Sequence, residues 1–226
     1  MQRFNIFNQI HKGLRALLFD TSLCLQQTDF TNEVEAEEAL NKVREAVLLF
    51  DEHAGKEDHF VLPAIAAFEP SVVDCFEKEH EKDMALSNAL TAAVETFFLL
   101  TTDIEREAAG RELMLSFTAF TVFNLEHMAK EEDLINTLLW RYYSDEEIQK
   151  IQHQIVMATT PWLNDFYSKW MLRGINTTEA ARWLQTVQAT APAVVFDTLY
   201  SKAETELPKH RFLKVASALT EGVLTH

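Results

Sequence analysis

FDEHAGKEDHF, residues 50–60, sets two histidines and four acids between the apolar runs VLLF (47–50) and VLPAIAAF (61–68). Helical spacing puts His53 and Glu57, four residues apart, on one face. The flanking aliphatics place that face in a core, where ionisable groups are costly unless something compensates them. The same spacing recurs at His127 and Glu131 in HMAKE. Alone, either pair reads as a solvated contact on a polar helix face. With eight histidines in an acidic chain, roughly one such pair arises by chance. Position along the chain decides between the two readings.

Four long helical patterns precede residue 144. The first runs from about Asn5 to Gln27, with Ile6, Ile10, Leu14, Leu17 and Leu18 at helical spacing. The second runs from about Asn32 to Ala67. Thr31 or Asn32 caps it, and Glu33, Glu35, Glu37 and Glu38 suit the positive end of its dipole. Pro63 is expected to kink its last turns. The third pattern begins at Ser71 and reaches about Thr101; the fourth runs from near Asp103 to about Tyr143. Short links between long helices make antiparallel neighbours. The expected fold class is therefore all-α, an up-down-up-down four-helix bundle over residues 1–143. Residues 144–226 read as a helical C-terminal extension of four short helices, docked on or near the bundle. Capping boxes at Ser144–Glu147 and Asn176–Glu179, with Pro161, Pro192 and Pro208, mark helix starts. Trp162, Phe166, Trp170, Trp183, Phe196 and Phe212 give the extension apolar surface to bury.

In that topology the starts of the first and third helices and the ends of the second and fourth share one end of the bundle. His11, His53, Glu57, His80, His127 and Glu131 then fall in one layer, roughly 9–15 Å from that end at 1.5 Å per residue. Unpaired buried carboxylates cost several kcal/mol each and protonate instead. Metal removes the difficulty, because it takes neutral imidazoles and ionised carboxylates as ligands. Two ions, with two histidines each and two bridging glutamates, use all six side chains. Nitrogen and carboxylate donors without thiolate suit iron or manganese, and zinc fits as well.

The ordered set H…H-x-x-x-E…H…H-x-x-x-E on four helices resembles the hemerythrin-like (HHE cation-binding) family, in its four-histidine, two-glutamate variant, over roughly residues 5–140. The resemblance implies the hemerythrin bundle and two iron ions, a non-haem di-iron centre with an oxo or hydroxo bridge. By it, His11 and His53 serve one iron, His80 and His127 the other, and Glu57 and Glu131 bridge. Oxygen-carrying members have a fifth histidine one turn before the third-helix ligand, where this chain has Phe76. Each iron then keeps an open position, which suits redox chemistry or small-gas binding better than reversible oxygen carriage. The expected function is to bind iron and to sense or handle dioxygen, nitric oxide or peroxide. A di-iron peroxidase or an iron-sulfur-cluster repair-type protein is the alternative, and a structural adaptor with an occupied metal site ranks third.

The bulk numbers narrow the partners. Of the net charge of -15, nearly all lies in residues 1–143, with 26 acids against 12 bases. That bias disfavours nucleic acid and anionic membrane surfaces. No apolar run approaches the roughly 18 residues of a spanning helix, and MQRFNIFNQIHKGLR lacks a signal-peptide pattern. A cytoplasmic location is expected. Cys24 and Cys75 form no disulfide or zinc framework and are expected to be buried thiols. Phosphate loops, G-x-S-x-G elbows and CxxC pairs are absent. Phe7, Phe76 and Phe123 each stand four residues before a candidate ligand, with Phe50 nearby; metal-layer cover and ordinary core packing both fit them. Glu77 reads as surface or outer-sphere, His59 as surface, and His153, His210 and His226 match no ligand pattern.

Overall fold

A computed structural model describes residues 3–220 of the chain. The described residues are helices and connections, with no strand among them. They divide into two compact units: Met1–Asn8 with Leu17–Thr160, and Gln9–Ala16 with Pro161–His226.

Within the first unit lie part of α1 (Asn8–Gln27), then α2 (Glu33–Lys56), α3 (Leu62–Ala66), α4 (Pro70–Phe97), α5 (Asp103–Lys130), α6 (Asn136–Tyr142) and α7 (Asp145–Ala158). The helix starts follow capping chemistry. The Asn32 side chain accepts from the backbone N–H groups of Val34 and Glu35, and Thr102 with Glu105 forms a capping box. Leu17 and Leu18 of α1, Leu40 and Val43 of α2, Leu90 of α4, and Phe117 and Phe120 of α5 fill the bundle core. Phe50 meets Phe120 edge-on at 5.3 Å.

The second and fourth long helices depart from expectation at one place each. Residues Glu57–Val61 and Glu131–Ile135 are π-turns, with Leu62 N–H donating to the Glu57 carbonyl and Asn136 N–H to that of Glu131. Burial explains why. His53, Glu57, Val61 and Ile65 are all buried, as are His127, Glu131, Ile135 and Leu139. A 3.6-residue turn carries a strict every-fourth-residue series off the core; the wider turn takes up that drift. Pro63 therefore sits near the start of α3, just past the first π-turn, rather than in a simple kink.

A second apolar cluster joins Ile6 and Phe7 to Val61, Leu62, Ile65, Phe76, Ile135, Leu139 and Ile148. Arg3 straps the chain start down, reaching Asp145 at 2.6 Å and the carbonyls of Trp140 and Tyr143. Ile148 is fully buried there, so α7 belongs to the first unit, and the contact boundary falls at 160 rather than at the expected 143.

The second unit holds residues 9–16 of α1 and four helices: α8 (Pro161–Gly174), α9 (Thr177–Thr190), α10 (Ala193–Glu206) and α11 (Lys209–Thr220). Leu172, Ile175, Ala180, Leu184, Ala203 and Val215 form its core. Residues 145–220 thus carry five helices where four were expected, one for each cap or proline start. Of the tail aromatics, Trp170 is buried and Trp162 is half exposed, at 51%. The thiols also differ from expectation: Cys75 is exposed and Cys24 half-buried. Among the described residues, no helix is long and apolar enough to cross a membrane.

Candidate metal centre

The last turn of α2 presents His53, and Glu57 opens the π-turn that follows. The last turn of α5 presents His127, and Glu131 opens the other. His80 comes from the middle of α4. All five side chains are buried. His80 Nε2 lies 3.1 Å from His127 Nε2, 3.6 Å from Glu57 Oε2 and 3.9 Å from Glu131 Oε1. His127 Nε2 is 3.1 Å from Glu131 Oε1, and His53 Nε2 is 3.0 Å from Glu57 Oε1. Donor atoms of Glu57, His80, His127 and Glu131 all fall within 4.8 Å of one another. Two ring nitrogens and two carboxylates converging on one small volume suit a cation, so these residues fit a metal.

An outer layer fixes which ring nitrogen faces inward. His80 Nδ1 pairs with Asp58 Oδ1 at 2.6 Å, and His127 Nδ1 with Glu79 Oε2 at 2.8 Å. Lys130 Nζ holds the other Glu79 oxygen at 2.6 Å. With hydrogen on each Nδ1, the Nε2 lone pairs are left to the centre. Asp58→Ala and Glu79→Ala are each expected to weaken metal affinity roughly 10–100-fold. Chelator competition reads this directly; wild-type affinity in both variants would refute the outer-layer role.

The family model for the hemerythrin HHE cation binding domain matches residues 3–139. The chain belongs to the hemerythrin HHE family. F-box/LRR-repeat protein 5 of Danio rerio is a relative, 23% identical over 153 residues. That alignment takes in 68% of this chain and 22% of the relative, so the chain spans only a small part of its length. No solved structure matches the chain.

The carboxylates around the two imidazoles favour their protonated forms. Burial alone would lower the His80 pKa. Hydrogen bonds to Asp58, Glu131 and Glu57 override it, and His80 is pushed up to about 12. His127 follows the same balance, with burial opposed by Glu131 and Glu79, and rises to about 9. Burial also acts on Glu79, but its bonds to Lys130 and His127 win and its carboxyl is lowered.

Phe76 and Phe123 both pack on His127, at 5.6 and 5.8 Å between ring centres, the second stacked. Phe76 thus covers the ligand of the neighbouring helix. One turn further into the HHE bundle, buried Asp83 accepts from Asn124 Nδ2 at 2.7 Å. Burial raises the Asp83 carboxyl against that hydrogen bond.

His11 is fully buried on α1, in the stretch 9–16 assigned to the second unit. Glu77, His59, His153 and His210 are exposed, and His226 lies outside the described residues. His59 lines an open surface cavity of about 420 Å³ with Asp51, Lys56 and Ala158. Sequence reading missed Asp58, Glu79, Asp83 and Asn124. Asp58 follows Glu57 directly, and Glu79 directly precedes His80. Asp83 and Asn124 lie three residues from His80 and His127, on the same helix faces. Those spacings were the available signal.

Proposed function

We propose that this HHE-family protein binds two iron ions and senses or handles a small oxidant or gas, such as dioxygen, nitric oxide or peroxide, in the cytoplasm. The observation that carries the reading is the convergence of His80 Nε2, His127 Nε2, Glu57 and Glu131 in one buried volume. In this reading His80 and His127 hold one ion, His11 and His53 hold the other, and Glu57 and Glu131 bridge. The second ligand set is carried by the order of histidines and glutamates along the sequence and by the burial of His11 and His53.

Bound iron would supply one-electron chemistry and an open coordination position. The chain's own contribution is to hold and shield. Asp58 and Glu79 orient two of the imidazoles, while Phe76 and Phe123 exclude water on the His127 side. Phenylalanine at position 76 offers no fifth imidazole, which favours a reactive or responsive centre over an oxygen carrier. Manganese and zinc also suit the donor set.

The test is to add ferrous iron to protein purified under low oxygen, then measure bound metal and the absorption spectrum before and after air. Two irons per chain and new near-ultraviolet bands on oxidation are expected from a paired site. Iron uptake without any response to air would end the gas reading. No uptake would end the iron reading.

A further inference from the structure

Phenylalanine and leucine build most of the bundle core in the first unit, with Phe50, Leu90, Phe117 and Phe120 all buried. One strip of α4 departs from this. Asp83 and Ser87 are buried as well, at 4% and 1% exposure. Asp83 follows His80 by three residues and Ser87 follows Asp83 by four, so the three share one helix face. From α5, Asn124 Nδ2 donates to Asp83 Oδ1 at 2.7 Å and to the Phe120 carbonyl at 3.2 Å. A neutral amide satisfies a hydrogen bond but not a buried charge. A packing role alone would therefore be served at less cost by asparagine at position 83. Burial raises the Asp83 carboxyl; Asn124 and the charges of His127 and His80 oppose this, and Asp51 adds to it.

The strip meets the surface at Asp51 of α2, an exposed residue that lines the cavity of about 420 Å³ with Lys56, His59 and Ala158. Partial burial of its carboxyl raises its pKa, and the Ser87 hydroxyl beside it acts against that. Ser87 Oγ makes no full hydrogen bond among the described residues. Its hydroxyl is free to turn, accepting on one side while donating on the other.

We propose that Asp51, Ser87 and Asp83 form a proton path from this cavity to the metal centre, supplying the protons that peroxide reduction there consumes. This rests on the reading of the site as an iron centre that handles a small oxidant. Reduction of hydrogen peroxide by a ferrous pair breaks the O–O bond and takes one electron from each iron. Two protons are taken up, leaving two waters and two ferric ions. Those protons need a route other than the ligand imidazoles. Asp58 and Glu79 hold Nδ1 of His80 and His127, while Nε2 faces the centre. A proton entering there would have to cross a ring whose two nitrogens are both engaged. Ser87 stands about 10 Å from His80 along the α4 axis, with Asp83 between them. Each step is roughly one turn, a gap that a single bridging water spans. Asp83 releases a proton towards the centre and regains one through Ser87 from Asp51.

The first test needs no metal. Infrared spectroscopy of the metal-free chain at about pH 5 reads the protonated Asp83 carboxyl as a band that Asp83→Asn removes. Rapid transfer into heavy water shifts that band, and Asp51→Asn slows the shift. No band assignable to Asp83, or equal exchange in wild type and Asp51→Asn, overturns the path. The second test loads the full chain with ferrous iron under argon and mixes it with hydrogen peroxide in weak buffer with a pH indicator. Asp83→Asn keeps an acceptor for Asn124 and retains both irons at wild-type affinity, while proton uptake and iron oxidation slow about 100-fold. Asp51→Asn slows them in the same direction, and its surface position lets it decide the matter if Asp83→Asn fails to fold. Wild-type rates in Asp51→Asn, or in a folded Asp83→Asn, overturn the proposal. A wild type that takes up no iron, or ignores peroxide once loaded, ends the oxidant reading instead. The metal-free exchange then judges the path by itself, so the two failures are distinguished.

Discussion

Glu57→Ala combined with Glu131→Ala is expected to leave a folded chain that takes up no iron. Each carboxylate sits at the head of a π-turn and lies against buried imidazole nitrogen, 3.0 Å from His53 for Glu57 and 3.1 Å from His127 for Glu131. Removing both takes all negative charge from the inner layer and leaves histidines alone to bind a dication. The fold survives for an electrostatic reason. Breaking a buried ion pair costs about 3–5 kcal/mol when a charged partner is stranded. Here the stranded groups are imidazoles, which can shed their protons once the glutamates are gone, and burial then favours the neutral form. Metal analysis after dialysis, set beside circular dichroism, checks both halves. His59→Ala, which alters an exposed histidine, should bind iron like wild type. Wild-type metal in the double variant would mean that the ligands lie elsewhere.

Much of this centre was legible because it is periodic. Two H-x-x-x-E pairs and a further histidine, placed on long helical patterns, pointed to the side chains that converge here: His53 with Glu57, and Glu57, His80, His127 and Glu131 around one volume. The helix caps at Asn32, Ser144 and Asn176 were readable for a similar reason, since capping is local chemistry. The π-turns were not read, although their cause is written in the chain. Buried residues at a strict spacing of four, from His53 to Ile65 and from His127 to Leu139, cannot stay on one face of a 3.6-residue helix. Pro63 hints at the first break, but the second has no proline to mark it. Asp58 and Glu79 were hidden by an ambiguity of another kind. Beside a buried ligand, a surface acid and an outer-sphere acid look alike until the ring nitrogen's direction is known. α7 packs with the first unit through Ile148, with Ile151 and Ile155 beside it, a partner that spacing along the chain does not name.

Without metal, the protein is expected to lose stability as pH rises from about 6.5 to 9, and to go on losing it more slowly beyond. His80 and His127 both hold their protons more tightly in the folded state than an ordinary histidine at 6.5 does, up to about 12 and about 9 respectively. Below 6.5 the folded and unfolded chains are equally protonated, and the stabilisation from Asp58, Glu79 and the inner glutamates is fully present. Above 6.5 the unfolded chain releases these protons while the folded one keeps them, and each group then gives up about 1.4 kcal/mol per pH unit. The His127 share is spent by pH 9, about 3 kcal/mol in all, and the His80 share continues to fall above it. Iron reverses the dependence. As a cation in place of two protons, it satisfies the same carboxylates and needs the imidazoles neutral, so higher pH favours loading and loading at pH 8 releases on the order of two protons per chain. Urea midpoints at pH 7 and pH 9, with and without iron, measure this. The metal-free midpoint should drop while the iron-loaded one holds, so the gap between them widens with pH. A metal-free midpoint that stays level or rises would show that the buried imidazoles are already neutral at pH 7, and that the glutamates are balanced by something other than protons.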